Sequence, residues 1–292
     1  MMQAKPLVQS ASTVKESPAP LPHFVLEPAQ GWVDLRAGEV WAYRELLYFL
    51  VWRAVKVRYK QTALGVLWVV LQPLAMTLLF SLVFGAFAQI PSGGVPYPLF
   101  VMVALWPWQW FAYSLSASST SLLVDQQLVT KVYFPRLVVP LSTVLVGLID
   151  FAVASVVLIA MLVFYKMPVT LAWLSLPLFI LLALAASVGV GLWLAALNVQ
   201  YRDVQYAIPF LSQLWLFATP IAYPTSLIPA QWQLLYGLNP MVGVVEGFRW
   251  ALLGQSQLAQ PVFFVSVAVT VTLFVSGVLY FRRVERTFAD II

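Results

Sequence analysis

The sequence predicts an all-α polytopic membrane protein with six transmembrane helices and both termini in the cytoplasm. Three observations carry that expectation. First, 62% of the 292 residues are hydrophobic and 9% are charged, with a mean hydropathy of +0.88; a soluble domain carries about 25% charged residues. Second, six long apolar stretches can be drawn, over 64–90, 99–124, 137–165, 171–197, 206–223 and 259–281. Five reach the roughly 20 residues a helix needs to cross the hydrocarbon core, and the stretch 206–223 is marginal. Third, the positive charges are asymmetric. With the N-terminus inside, the inner segments hold 14 of the 16 basic residues, from Lys5 and Lys15 through Arg136 and Arg202 to Arg286, and the outer segments hold only Lys166 and Arg249. The positive-inside rule then fixes the orientation.

Composition also excludes several classes of chemistry. With no cysteine there is no disulfide, thiolate nucleophile or Cys-based metal site. The single histidine, His23, lies in a Pro-rich leader, so no His-based metal site is expected either. The net charge of +5 flanks apolar spans instead of forming a basic domain, which points away from nucleic acid. A phosphate-cradling loop needs Gly-Lys followed by Ser or Thr. The lysines at 5, 15, 56, 60, 131 and 166 never follow glycine, so ATP is not hydrolysed through a P-loop of this chain.

Residues 1–35 read as a flexible cytoplasmic leader. They carry Pro6, Pro18, Pro20, Pro22 and Pro28 and no continuous apolar core, so they are not a secretory signal. Segment 36–62 is an amphipathic interfacial element with a helix over 39–60. Leu47, Leu50, Val51 and Ala54 fall at i, i+3, i+4 and i+7, while Arg53, Lys56 and Lys60 line the other side and Arg58 joins the basic set. With Trp41, Tyr43, Trp52 and Tyr59 nearby, it suits the inner membrane interface. It serves as an anchor, as a docking surface for a cytoplasmic partner, or as both.

The membrane domain follows over 63–285, then a short cytoplasmic tail over 286–292. Spans one and two contain Gln72-Pro73 and Trp106-Pro107, which predict kinks. The outer loop 89–98 is short, turn-rich and uncharged. Two inner loops, 125–136 and 198–206, are too small for a domain and can only be turns or contact elements. The first offers Asp125, Gln126, Gln127, Lys131 and Tyr133; the second offers Arg202 and Asp203. The outer stretch 224–258 is too apolar for a solvated loop yet is broken by Pro224, Pro229, Gly237, Pro240 and Gly254. That pattern predicts a re-entrant hairpin, tolerated only where non-helical backbone is buried or lines water.

Asp150 is the only acid near the middle of a span, with no basic partner in sight. It is either a coupling or substrate-contact acid, or a structural acid bonded to neighbouring helices. Glu246 and Arg249 share a helix face, where they pair to hold the hairpin or touch a polar substrate at an exit. Trp106, Trp108, Trp110 and Tyr113 form the densest aromatic cluster. Such residues pack as belts, or line a passage where ring faces stack on sugar C–H surface. The hydroxyls of Ser114, Ser116, Ser118, Ser119, Thr120 and Ser121 either line a passage or bond back to helix carbonyls.

Five motifs in order give these features a family likeness. They are Trp52-Arg-Ala-Val-Lys-Val-Arg-Tyr-Lys-Gln-Thr-Ala-Leu-Gly-Val-Leu-Trp68 with Leu71-Gln-Pro73; Thr130-Lys-Val-Tyr-Phe-Pro-Arg136 with Pro140; Leu197-Asn-Val-Gln-Tyr-Arg-Asp-Val204; Phe217-Ala-Thr-Pro-Ile-Ala-Tyr-Pro224; and Leu238-Asn-Pro240 with Gly243 to Leu253. Over about residues 35–285 the chain resembles type-2 ABC exporter permeases that move polysaccharides, O-antigen and teichoic-acid permeases first and capsule permeases next. The resemblance implies a non-enzymatic, six-helix permease that forms a homodimer in the bacterial inner membrane, among membrane lipids. Two copies of a cytoplasmic P-loop ATPase would bind beneath it. This chain would bind no cofactor, and ATP and Mg would sit on the partner subunit. It further implies a coupling helix over 124–134, an outer gate over 225–253 that includes Trp232, Tyr236, Glu246 and Arg249, and a channel for a lipid-linked polysaccharide. A drug or small-lipid exporter on the same fold, or a secondary transporter or channel, stands as the alternative. A membrane enzyme would need exposed catalytic acids or histidines, and outside the membrane only Glu246 is available.

Overall fold

The computed structural model describes residues 37–60, 65–254 and 261–288. The leader with its prolines and His23, the motif residues 61–64, the loop 255–260 and the tail residues 289–292 lie outside the described residues. Leu35–Ile292 forms one compact unit. Every regular element among the described residues is helical: α1 Ala37–Ala42, α2 Arg44–Lys60, α3 Gly65–Phe80, α4 Tyr97–Val124, α5 Gln126–Lys131, α6 Val138–Phe164, α7 Leu176–Gln200, α8 Val204–Ala218, α9 Ala230–Tyr236, α10 Pro240–Leu253 and α11 Pro261–Glu285. By length and composition four of these, some with flanking turns, can cross a membrane: Leu67–Phe87, Val138–Phe164, Leu171–Gln200 and Pro261–Glu285. α4, at 28 residues, is long enough as well, but Trp106, Trp108, Gln109, Trp110 and its serines lower its hydropathy.

Helix boundaries follow local chemistry. The expected interfacial helix is broken at Tyr43, and α2 turns Leu47, Leu50, Val51 and Ala54 inward, as the spacing predicts. α3 does not stop at Phe80. It widens into a π-helical stretch, Ser81–Phe87, where the Ser81 hydroxyl bonds back to the Thr77 carbonyl at 2.6 Å. The fifth apolar stretch, expected helical to 223, ends at Ala218, because Thr219 turns extended just before Pro220. Of the 124–134 segment, Val124 ends α4 and only Gln126–Lys131 forms a separate helix. α10 has a complete set of caps: the Asn239 side chain accepts from Met241 N at 3.0 Å, Pro240 takes the first turn, and Gly254 closes it at φ 69°.

α4 runs through the centre and packs against α6, α7, α10, α3 and α8. Residues 99–106 are all buried, so its N-terminal half is core. α7 and α11 approach most closely at Gly189 and Gly277. A Cβ on Gly189 would lie 2.7 Å from Phe274 Cα, so the crossing needs a glycine there. The tail returns to the bundle, with Phe288 fully buried against Phe281.

Candidate functional site

A cavity of about 340 Å³ lies between α2, α3, α4 and α6. Asp150 stands in its wall. It has the basic partner that its own span lacks: Arg58 Nη1 reaches across from α2 to Asp150 Oδ2 at 2.8 Å. Tyr59, the next residue, donates its hydroxyl to the other carboxylate oxygen. Burial, and then the bond to Asp150, holds the Tyr59 phenol above its ordinary pKa, so it stays a proton donor. The Arg58 guanidinium also lies 4.7 Å from the Tyr113 ring centroid. The lone-acid view of Asp150 is therefore corrected, since its cation comes from a helix outside the spans.

The aromatic cluster forms part of the cavity lining but is mostly core. Trp106 stacks on Phe151 at 4.1 Å and donates its indole N–H to the Phe151 carbonyl at 2.9 Å. Trp110 donates to the Val144 carbonyl at 3.0 Å. Trp108 is buried against Phe111. Each indole N–H of Trp106 and Trp110 thus ties α4 to α6. The serine run likewise bonds inward. Ser114 donates to Trp110 O, Ser119 to Ser116 O and Ser121 to Ser118 O, and Ser118 meets the Thr143 hydroxyl of α6 at 2.9 Å.

On the opposite side of the charge map, the two small loops form an exposed face. Gln126, Gln127, Lys131, Tyr133, Arg202 and Asp203 are exposed, as are Lys56 and Lys60 of α2. Val129 and Phe134 are the buried anchors of the first loop. Asp125 does not cap α5 with its side chain; its carboxylate pairs with Arg53 of α2 instead. Arg53 and Arg58 therefore make two ion pairs from one helix, one to the loop before α5 and one to the cavity. Two residues without a role in the sequence reading fix these loops. Asn198, fully buried, donates to Ser119 O at 2.8 Å and accepts from Gln205 N at 3.1 Å. Arg136 donates its backbone N–H to Glu285 Oε1 at 2.9 Å. The signals for Asn198 are an amide at the end of an apolar run and its place in the Leu197–Val204 motif.

At the other end, α9 and α10 follow the loop after α8; α9 packs on α11, and α10 packs on α11, α4 and α7. Glu246 and Arg249 do pair, at 3.4 Å. Arg249 does more than hold the hairpin: it donates to Ile221 O at 2.9 Å and Tyr223 O at 3.3 Å and lies 3.7 Å from the Phe100 ring centroid. Asn239 is the second fastener. It donates to Thr219 Oγ1 and Ala218 O and accepts from Trp215 Nε1 at 2.9 Å. Tyr97 donates to Ala222 O, and the Tyr223 and Tyr236 hydroxyls meet at 3.0 Å. Trp232 is exposed.

This is a multi-pass α-helical membrane protein with an open, largely apolar cavity into which the Arg58–Asp150 pair faces, and with an exposed face at its basic end. The model of the ABC-2 type transporter family matches residues 45–253. The chain belongs to that family. It is similar to the O-antigen export system permease protein RfbA of Myxococcus xanthus, 32% identical over 85% of this chain and 95% of the relative. It is also similar to an O-antigen export system permease protein RfbA of Klebsiella pneumoniae, 29% identical over 85% and 95%. The polysialic acid transport protein KpsM of Escherichia coli is 26% identical over 80% of this chain and 91% of its own length.

Proposed function

We propose that this chain is the permease subunit of an ATP-driven exporter that carries a lipid-linked, O-antigen-like polysaccharide from the cytoplasm across the bacterial inner membrane. One observation carries the reading. Relatives named for O-antigen export align with 85% of this chain and 95% of their own length, in collinear order. The chain is not an enzyme. Without a P-loop, it takes its work from a separate P-loop ATPase, two copies of which sit beneath a permease homodimer and hold ATP and Mg.

The topology proposed has six crossings, with α4 and α8 added to the four apolar helices and both termini inside. α8 alone, at 15 residues, is about 22 Å long against a hydrocarbon core of about 30 Å. Residues 219–223 extend it without helical hydrogen bonds, and α9–α10 folds back as a re-entrant gate. Non-helical backbone is tolerated at membrane depth only where its polar groups are satisfied. The side chains of Asn239, Arg249 and Tyr97 supply donors to the carbonyls of residues 218, 221, 222 and 223, which supports that placement. The exposed apolar faces of α3 and α8 (Leu78, Leu79, Phe210 and Phe217 among them) are to be covered by lipid or by the second permease copy.

The ATPase seats against α5 and the 201–203 turn. Movement there reaches the membrane part through Arg53–Asp125 and onward along α2. The test is deletion of the gene in its native host. Lipid-linked polysaccharide should build up inside and return to the surface on complementation, and the tagged permease should co-purify with an equal amount of a P-loop ATPase. Normal surface polysaccharide in the deletion strain would overturn the reading.

A further inference from the structure

The loop that carries α5 is tied to the bundle at both ends, and the two ties differ in kind. Its entry is Asp125, paired with the half-exposed Arg53 of α2. Its exit is Arg136, whose backbone bond to Glu285 is one half of a reciprocal arrangement. The Glu285 carboxylate accepts from Arg136 N at 2.9 Å, and the Arg136 guanidinium donates through Nη1 to the Glu285 carbonyl.

Each helix end lacks what the other supplies. α6 begins after Leu137, whose side chain offers no acceptor, and its first turn holds no acid. Backbone N–H groups at a helix start need acceptors, and negative charge is favoured there. Glu285 brings both from α11. α11 in turn ends at Glu285, whose carbonyl is of the terminal kind that has no partner within its own helix. A cationic donor is favoured at that end, and Arg136 brings one.

α11 is itself firmly held. Gly277 crosses Gly189 of α7 with no room for a Cβ, and Tyr280 stacks on Trp193 at 4.1 Å. Towards its other end the Ser266 hydroxyl accepts from Gly243 N at 2.8 Å and donates to the Asn239 carbonyl at 2.9 Å. The exit of the loop is thus fixed to the close-packed part of the bundle, while its entry hangs on an ion pair that solvent weakens. Residues 132–135 alone separate α5 from Arg136. Val132 is extended, Phe134 is buried and Pro135 has a fixed φ, so the link is short and stiff.

We propose that Glu285 and Arg136 are positioning residues for the ATPase contact: their reciprocal caps form a fixed pivot on α11, about which a push on α5 swings the Asp125 end of the loop. The inference rests on α5 as the ATPase contact in the exporter reading, and it gives the end of α11 a part in coupling.

The chain has no cysteine, so a single nitroxide can be attached at Thr130→Cys, an exposed position of α5. The full chain in nanodiscs of phosphatidylethanolamine and phosphatidylglycerol should give an immobilised spectrum. Glu285→Ala removes the acceptor for Arg136 N. The ratio of anchored to released loop should then fall about tenfold or more, the effect of losing one hydrogen bond to a charged group, and a mobile component should appear. Glu285→Gln keeps the acceptor and should keep the label immobilised. Without the label, Glu285→Ala should restore surface polysaccharide poorly in the gene-deletion strain while its ATPase complex still hydrolyses ATP, and Glu285→Gln should restore it. A cap that serves stability alone would lower the melting temperature and leave both the label and the export per ATP unchanged; that result would overturn the pivot. Where Glu285→Ala gives no monodisperse protein, Arg136→Ala decides: it retains the backbone bond and loses that of the guanidinium, so partial release is expected and a wild-type spectrum would overturn the proposal. Normal surface polysaccharide in the deletion strain itself overturns the exporter reading instead, whatever the label shows.

Discussion

Replacing Arg249 with methionine should destabilise the end of the bundle formed by the loop after α8 and α10. The guanidinium is 2% exposed and holds two carbonyls of the loop after α8, at 2.9 and 3.3 Å. Hydrogen bonds from a charged donor contribute about 1.5–3 kcal/mol each. A desolvated cation over a ring adds about 2 kcal/mol, and the Phe100 contact at 3.7 Å meets that geometry. Against this, the Arg249 Nε has no partner, and methionine would remove a buried charge while filling much of the volume. The balance is a loss of about 3–5 kcal/mol, the range seen when one partner of a buried pair is removed. At roughly 2–4 °C per kcal/mol for a domain of this size, melting should fall by about 10 °C. Thermal unfolding in nanodiscs, followed by size exclusion after heating, reads this directly. Arg249→Lys should fall in between, because an ammonium cannot fork to two carbonyls and stack at once. A methionine variant that melts with the wild type would refute the clamp and, with it, the explanation of why residues 219–223 tolerate non-helical backbone.

Three further outcomes are expected. Alanine at Gln126, Gln127 and Tyr133 together should leave melting within about 0.5 kcal/mol per exposed site while ATP hydrolysis no longer drives export; normal export would remove α5 as the ATPase contact. Trp110→Ala should cost about 3–5 kcal/mol and deplete folded protein, whereas Trp110→Phe loses chiefly the bond to the Val144 carbonyl, about 1–3 kcal/mol; wild-type levels of folded Trp110→Ala would show that the indole packs less than its burial implies. The half-exposed Arg53–Asp125 pair should contribute at most about 1 kcal/mol to stability, so Arg53→Asp should fold but uncouple, and adding Asp125→Arg should restore coupled export. A double variant no better than the single would mean that the contact transmits nothing.

Periodicity carried the helices and local spacing carried the local pairs. The inward face of α2 and the Glu246–Arg249 pair are both functions of i, i+3 and i+4 geometry, which a linear sequence contains. The partners of Asp150 were illegible because they lie on α2, in a segment whose charges read as a solvated face; only the packing of α2 on α6 turns Arg58 and Tyr59 away from Lys56 and Lys60. The aromatic cluster posed a different problem. Composition gives the rings but not their azimuth around α4, and the indole bonds to α6 carbonyls decide that azimuth. Likewise, Asn239 announced itself only as an Asn-Pro pair, a helix-start signal, while three of its hydrogen bonds reach Trp215, Ala218 and Thr219 on or beside α8.

Within one protomer, burial separates the helices into a close-packed block and two helices with large exposed apolar faces. The apolar window of α7 is 56% buried and that of α3 only 17%. α8 buries Ile208 and Leu216 alone, whereas α10 is buried along nearly its whole length. Close packing makes the block of α4, α6, α7, α10 and α11 shift as a unit, because its side chains have no free volume to absorb independent motion. α3 and α8 have few such constraints, and each follows one of the elements on the exposed basic face: α3 follows α2, with its Arg53–Asp125 tie, and α8 follows the turn at Arg202 and Asp203. A displacement at that face is therefore expected to travel along α3 and α8 before it moves the block. The outer ends of both are then checked by the same loop, where Phe80 stacks on Phe217 at 6.3 Å and Arg249 grips the carbonyls just beyond. Under the proposed topology, a clamp there is expected to pass a displacement of the basic face on to α9 and α10, and loss of the clamp in Arg249→Met should abolish that transfer.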